Sequence, residues 1–296
     1  MILVTGGTGF IGSNLVRRLR NNDIAVRVLV RNPVKGQALK DIAVDVVEGD
    51  VSNKASLERA ASGCERVVHL VGIIQETQKS TFRTIHVDGT RNVLEAAKNA
   101  GVRHILYQSA LGTRPGAKSI YHKTKWEAEE LVRASAVPYT ILRPSLIYGP
   151  GDKFTMRLSE VIKRTPVMPV IGPGRARIQP LYIDDAVSCI VKAITSDAFL
   201  NEMFEIGGPD QLTYEEVAGA VADALGVYRL TFHMPLFLAR NAARFLETVL
   251  PAPPVTSDQV IMLQEDNVCS MRDIRDAFGI DPINFREGLK KFMSPS

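Results

Sequence analysis

The chain opens MILVTGGTGFIGSNL, with four apolar residues, then four glycines in eight positions, then the amphipathic run SNLVRRLRNN. Glycine weakens a helix, so glycines collect in front of one only where the backbone must turn tightly or approach something closely. Gly6, Gly7, Gly9 and Gly12 fit both G-x-x-G-x-x-G from Gly6 and G-x-G-x-x-G from Gly7. Between a buried strand and a helix, this spacing suits a pyrophosphate. One glycine permits the turn, the next lets backbone approach the ligand, and the last lets helix and strand pack closely. Helix N–H groups and the positive end of the helix dipole complete the anion site. The loop, with Thr5 and Thr8 in it, is therefore expected to hold a dinucleotide.

Apolar runs at 2–4, 26–30, 44–47, 67–71, 104–107 and 139–142 alternate with helical periodicity at 14–20, 55–61, 89–100 and 121–134. Runs that are apolar throughout imply a sheet covered on both faces. Their alternation with helices implies parallel pairing through right-handed crossovers. The expected fold class is α/β, a Rossmann-type doubly wound parallel sheet. Prolines and glycines crowd the chain after Pro144, where helices are expected at 154–163 and 213–225, the latter with a Thr213/Glu216 capping box. Residues 184–194 and 203–206 look like a helix and strand that return to the main sheet. The expected division is 1–150 with 184–206 for the dinucleotide, and 151–183 with 207–296 for a smaller substrate or partner lobe.

Cofactor choice is read at the end of the second strand, where NAD sites place a carboxylate for the ribose 2′-hydroxyl. Here the sequence is VRVLVRNPVK. Arg31 stands at that place, with Asn32 and Lys35 nearby, and a cation suits a 2′-phosphate. NADP(H) is thus favoured over NAD(H). Asp50 and Val51, after the third strand, are candidates for the adenine, and Leu70, Val71 and Gly72 for the next part of the cofactor.

Within SALGTRPGAKSIYHKTKWEAEELV, Tyr121 and Lys125 are four apart on an expected helix and share a face. Ser109 lies twelve residues ahead of Tyr121, at the C-terminal end of a strand, where open α/β sheets bind ligands. A free phenol is a poor base at neutral pH. A lysine ammonium and a nicotinamide cation would stabilise its anion, so Tyr121 could exchange a proton while the nicotinamide exchanges hydride. Lys125 would also bind the nicotinamide ribose, and Ser109, with Ala110 and Leu111, would hold substrate. The pocket is expected between 109–121 and 145–177, with Leu146, Ile147, Met156 and Val170 hinting at a substrate of limited charge.

The motifs TGGTGFIG, HLVG, HVDGTRNVLEAA, SALG, Tyr121-x-x-x-Lys125, LRPSLIYGPGD and RIQPLYIDDAV resemble those of the extended or atypical short-chain dehydrogenase/reductases, along the whole chain. PVIGPGRARIQPLYIDD and LPAPPVTSDQVIMLQEDNV make it similar, more narrowly, to the NAD(P)H-binding accessory subunit of respiratory complex I and its bacterial relatives. The resemblance implies cofactor contacts at Gly6, Gly9, Phe10, Ile11, Gly12, Arg31, Asp50, Val51 and Lys125, and at Pro144 with the following Ser145 and Leu146. Sugar-nucleotide members usually carry asparagine where His86 stands, and several arginines for a diphosphate where only Arg175 and Arg177 are available here. His86 is expected beside the cofactor rather than as a catalyst, His69 as a satisfied core histidine, and Trp126 as a packing residue. Asp184 and Asp185 read as an N-cap and a first-turn acid.

The net charge of +4, 36 basic against 32 acidic residues, is spread too thinly to indicate nucleic acid. Three separated cysteines, Cys64, Cys189 and Cys269, suit buried thiols in a reducing compartment, and no metal-ligand spacing occurs. The first strand begins at residue 2, which leaves no room for a leader, and no run reaches the ~20 apolar residues of a bilayer span. A cytoplasmic protein is expected. The segment LTFHMPLFLARNAARFLETVLPAPP is expected to close the second lobe over the cleft. The alternative for 228–254 is a protein partner or peripheral membrane association. Three functions stay open: an oxidoreductase on a carbonyl or alcohol, which is favoured; a non-catalytic NADPH-binding accessory or assembly subunit; and a nucleotide-sugar epimerase.

Overall fold

The computed structural model describes every residue except 33, 35, 37, 38, 40, 41, 252 and 294–296. The chain divides into two units: Met1–Gly116, Tyr121–Arg143 and Val187–Phe204 form the first, and Ala117–Ile120, Pro144–Ala186 and Glu205–Ser296 the second.

The first unit follows the alternation in the sequence: β1 (Ile2–Thr5), α1 (Phe10–Asn21), β2 (Val26–Val30), β3 (Asp45–Glu48), α2 (Lys54–Ala61), β4 (Arg66–His69), α3 (Gly89–Asn99), β5 (His104–Gln108), α4 (Ile120–Arg133) and β6 (Tyr139–Pro144). A last strand, Glu202–Ile206, completes a seven-stranded sheet in the order Glu202–Ile206, β6, β5, β4, β1, β2, β3. Pairs from β3 to β6 are parallel. This is the doubly wound α/β sheet expected from runs apolar on both faces. β1 and β4 are buried at every position, whereas β3, the sheet edge, is half-buried in the middle with exposed ends. The order reverses beside β1, where β1 runs parallel to both β2 and β4, and ligands of open α/β sheets bind at such a reversal. One departure is local. The helical run starting near residue 89 is preceded by a π-helical turn, Arg83–Asp88.

Burial of charge is concentrated on α4. Glu129 is fully buried and accepts from Arg143 Nε at 2.8 Å, Arg143 Nη2 at 2.7 Å and Arg133 Nη2 at 2.6 Å. Both guanidinium groups also lie against the Trp126 ring, at 5.0 and 5.8 Å. Trp126 is thus a packing residue, as expected. The bidentate contact from Arg143 fastens the C-terminal half of α4 to β6.

The second unit holds three short strand pairs: Ile147–Tyr148 with Leu181–Tyr182, Arg177–Ile178 with Leu212–Thr213, and Val167–Ile171 with Leu230–Met234. Its helices carry the caps that their sequences encode. Asp152 accepts from Thr155 N, and Thr213 and Glu216 close the expected capping box. Tyr148 is fully buried, with its ring 4.7 Å from Phe285 and 5.5 Å from Tyr182. The helix Ile183–Thr195 begins before Asp184, so Asp184 and Asp185 are both first-turn acids and neither is the N-cap. Ile183, directly after the strand Leu181–Tyr182, enters the helix one residue earlier than the acids suggest.

Removing Glu129 leaves the buried Arg143 without its carboxylate, while the half-buried Arg133 keeps Glu130, so Glu129→Ala is expected to cost about 3–5 kcal/mol in urea unfolding. A cost within about 1 kcal/mol would show that the network is not an anchor.

Candidate functional site

The turn after β1 is built from close backbone approaches. Gly6 has φ +80°, in the left-handed region, and its carbonyl accepts from Gly9 N at 2.9 Å. A Cβ on Gly12 would stand 2.2 Å from Gly6 O, and one on Gly7 would stand 2.5 Å from Val28 Cγ1. Both glycines are required by packing of α1 on the sheet. Gly9 is the N-cap of α1 and makes no side-chain cap bond, so the helix begins on bare backbone at the C-terminal end of β1. Phe10, Ile11 and Gly12 follow as its first turn. Leu70 N donates to Thr5 O at 3.1 Å, which holds Leu70 and Val71 against Gly6.

At the ends of β2 and β3, Arg31 and Asp50 face one another, with Nε and Oδ2 3.6 Å apart. Asp50 Oδ1 accepts from Ser52 N and Ser52 Oγ, and Asn32 Oδ1 accepts from Val34 N. Val51 is buried, and its carbonyl accepts from Asn92 Nδ2 at 2.9 Å. Lys35 lies outside the described residues.

Tyr121 and Lys125 occupy one face of α4. The Lys125 ammonium donates to the Gln108 carbonyl at the end of β5, at 2.9 Å, and sits 4.9 Å from the centre of the Tyr107 ring. A side chain at Gly72 would meet Lys125 Nζ at 3.4 Å and His86 Nε2 at 3.7 Å. Buried Ser109 donates to Thr113 Oγ1 at 3.4 Å, Ala110 O accepts from Thr113 N at 3.2 Å, and Leu111 is buried. The Gln108 side-chain oxygen is buried without a hydrogen-bond partner, one residue from Ser109. Glycines that leave no room for a Cβ, a bare helix start and an unanswered amide oxygen beside Lys125 together fit a polar ligand with phosphates.

His86 is placed by three bonds. Thr124 Oγ1 donates to the Tyr121 carbonyl at 3.0 Å, so it accepts from His86 Nδ1–H at 2.9 Å. Nε2 lies 3.1 Å from both Ile73 N and Ile73 O, and in this tautomer it accepts from the amide. The neutral ring therefore ties the 72–73 loop to α4, and its edge meets the Tyr121 ring at 5.4 Å. Thr113, Thr124 and Gln108 are the site residues that sequence reasoning missed. Only Thr124, one turn from Tyr121 on the same helix, had a readable spacing. His69 is the satisfied core histidine expected, with Nδ1 2.7 Å from Thr5 Oγ1 and Nε2 3.1 Å from Thr90 Oγ1.

Burial sets the electrostatics. It pushes Lys125 down to about 8, with Glu129 opposing, and Tyr121 up to about 12. It pushes His86 down to about 2 and His69 to about 3, with the Lys125 charge adding to both. The phenol was expected to be drawn toward neutrality. Burial moves it the other way, so a lowering requires positive charge brought against the phenolate.

The remaining candidates belong to the second unit. Pro144 ends β6, and Ser145 Oγ lies 2.5 Å from Asn267 Oδ1. Leu146 O accepts from Leu181 N, and Ile147 pairs with Leu181. Arg175 and Arg177 are exposed, and Arg177 N donates to Asp266 Oδ1 at 2.9 Å. The Arg177 charge helps hold Glu216 below the usual carboxylate range, after the hydrogen bonds from Thr213.

Residues 2–207 match the model of the NAD dependent epimerase/dehydratase family. The chain belongs to that family. It is 34% identical to the ceramide reductase of Caulobacter vibrioides over 79% of this chain and 74% of that protein. It is 27% identical to the mitochondrial NADH dehydrogenase [ubiquinone] 1 alpha subcomplex subunit 9 of Arabidopsis thaliana, over 89% and 68%. The fold matches that of UDP-glucose 4-epimerase from Thermotoga maritima, at 21% identity and a TM-score of 0.76, over 98% of this chain and 96% of the other. The family binds NAD(P) and includes reductases, epimerases and complex I subunits. Among the described residues no helix is long and apolar enough to cross a membrane, and no three His, Cys, Asp or Glu side chains gather to hold a metal.

A histidine buried neutral has a folded pKa below its unfolded one. Its stabilisation is therefore complete above about pH 6.5 and is lost as pH falls below that value. His69 and His86 should each remove up to about 1.4 kcal/mol per pH unit between roughly pH 6 and 4. Urea midpoints at pH 7 and pH 5 check this. His69→Gln and His86→Gln should each flatten the dependence, and an unchanged slope in both would overturn the assignment.

Proposed function

We propose that the chain is an NAD(P)H-dependent reductase of a carbonyl substrate of limited charge, with Tyr121 as proton donor. The observation that carries this reading is the Tyr121–Lys125 face of α4, with the ammonium fixed at the C-terminal end of β5 by Gln108. The 34% identity to a ceramide reductase supports a reductase and a lipid-like substrate.

A nicotinamide held in this site would supply hydride to a carbonyl carbon. Tyr121 would give its phenolic proton to the carbonyl oxygen, so that the alcohol forms and the phenolate is left on Tyr121. Lys125, charged at neutral pH, stabilises the phenolate until a proton returns from solvent. Ser109 holds the substrate oxygen. Gly6, Gly9 and the first turn of α1 take the pyrophosphate. Asp50 and Val51 take the adenine, and Leu70 to Gly72, with His86 behind them, flank the rest. Arg31, with Asn32, favours a 2′-phosphate and hence NADP(H).

A specific likeness favours a second reading, a non-catalytic accessory subunit. The Arabidopsis complex I subunit aligns with most of the chain. Bound cofactor would then serve stability alone, by linkage.

Ultraviolet difference titration of the native protein against Tyr121→Phe separates the two readings without a substrate. With NADP⁺ bound, the phenol lost in the variant should ionise near ~7 to 8, far below its position in the free protein. Tyr121→Phe should lower turnover of an aliphatic ketone series by roughly 10²–10⁴-fold while leaving NADPH binding intact. A phenol that stays near about 12 with NADP⁺ bound refutes the enzyme and leaves the binder. Separately, Arg31→Ala should weaken NADPH by about tenfold and spare NADH. Equal loss for both coenzymes would remove the NADP(H) preference.

A further inference from the structure

The strand pair Val167–Ile171 and Leu230–Met234 has two faces, and they are treated differently. In register, Met168 lies beside Thr231 and Val170 beside His233. This face is the inner one. Met168 and Val170 are buried, Thr231 donates to Glu215 at 2.6 Å, and His233 lies 3.6 Å from the same carboxylate on the helix Tyr214–Ala224. The alternate residues Val167, Pro169 and Ile171, with Leu230, Phe232 and Met234, make the outer face. The helix Leu236–Val249 covers only one end of it, where Ile171 and Met234 pack with Ala239 and Ala243. Beyond that end, Phe232 and Leu230 stand 56% and 60% exposed.

The helix itself is apolar on the wrong side for a protein in water. Its buried side is alanine, while Phe237, Leu238, Phe245 and Val249 point to solvent, the two phenylalanines 64% and 65% exposed. Single exposed apolar residues are ordinary, but several on one strand face and on one helix face mark an interaction surface. Its border is cationic. Arg240 and Arg244 flank the phenylalanines, one helical turn apart, exposed and without an ion-pair partner among the described residues. Lys163 and Arg164 end the helix that leads into Val167, and both are exposed. The one acid of the Leu236–Val249 helix, Glu247, is engaged by Ser257 N and Oγ at 2.9 and 2.6 Å.

From this we infer that the outer face of the strand pair and the helix Leu236–Val249 form a docking surface for an anionic lipid bilayer. Phenylalanine and leucine enter the headgroup–acyl boundary, and the arginines lie along it with their guanidinium groups at the lipid phosphates. Exposed arginines along one flank of an apolar helix face complement an acidic lipid surface. The surface is independent of any chemistry at Tyr121.

The experiment is flotation of the full chain with phosphatidylcholine vesicles, with and without one quarter phosphatidylglycerol. The chain should float with the anionic vesicles, bind the neutral ones far more weakly, and be released by salt. Arg240→Gln with Arg244→Gln should lower partitioning into anionic vesicles about thirtyfold. Phe237→Ser with Phe245→Ser should abolish it, and since both sites are exposed, thermal melting should be unchanged. No flotation in the native chain overturns the inference, as does flotation indifferent to the arginine pair. A concentration-dependent dimer lost in the phenylalanine variant, without vesicle binding, would assign the face to a second copy instead.

Discussion

The contact on which the rest depends is backbone against backbone. Gly12 passes so close to the Gly6 carbonyl that no other residue fits, and this fixes where α1 begins relative to the end of β1. From it follow the bare N-terminus at the sheet's reversal, the lodging of Leu70 and Val71 against the turn, and a site for negative charge. No side chain supplies that site. It is made by the direction of a helix and the absence of Cβ atoms, which is why a phosphate, whatever the remainder of its molecule, is the group it suits best.

α4 is held differently at its two ends. Near Glu129 it is clamped by guanidinium groups and an indole, at charge–charge strength. Near Tyr121 a neutral imidazole ties it through Thr124, and the Lys125 ammonium ties it to the Gln108 carbonyl. The carboxylate clamp lies away from the reacting face, and the bonds on that face run to neutral acceptors and donors. Burial does the rest. It keeps His86 and His69 uncharged beside an ammonium and keeps that ammonium easier to deprotonate than free lysine.

The sheet, the glycine turn and the Tyr121–Lys125 face were legible in the sequence because each is written in local spacing: continuous apolar runs, glycines at fixed offsets, and a separation of four on a helix. What was not legible depends on partners far apart in the chain. The π-helical turn at Arg83–Asp88 aims His86 at residues 13 and 38 positions away, and no pattern around His86 announces this. The Arg31–Asp50 pair was read as two separate candidates because the ends of parallel strands meet only in the sheet. The segment after residue 228 looked amphipathic enough to pack. Its inner side turned out to be alanine, so its large residues were left outside, a distinction that periodicity alone does not make.

The route of the chain carries a last consequence. It passes from one unit to the other five times, at 116/117, 120/121, 143/144, 186/187 and 204/205. A fragment ending near residue 150 would keep β1 to β6 but lose Glu202–Ile206, the strand that lies beside β6. β6, buried along nearly all its length, would become a raw edge open to any other strand. The first unit of this molecule is therefore not a module that can be cut out or lent to another protein. Its solubility is written some fifty residues beyond its apparent end.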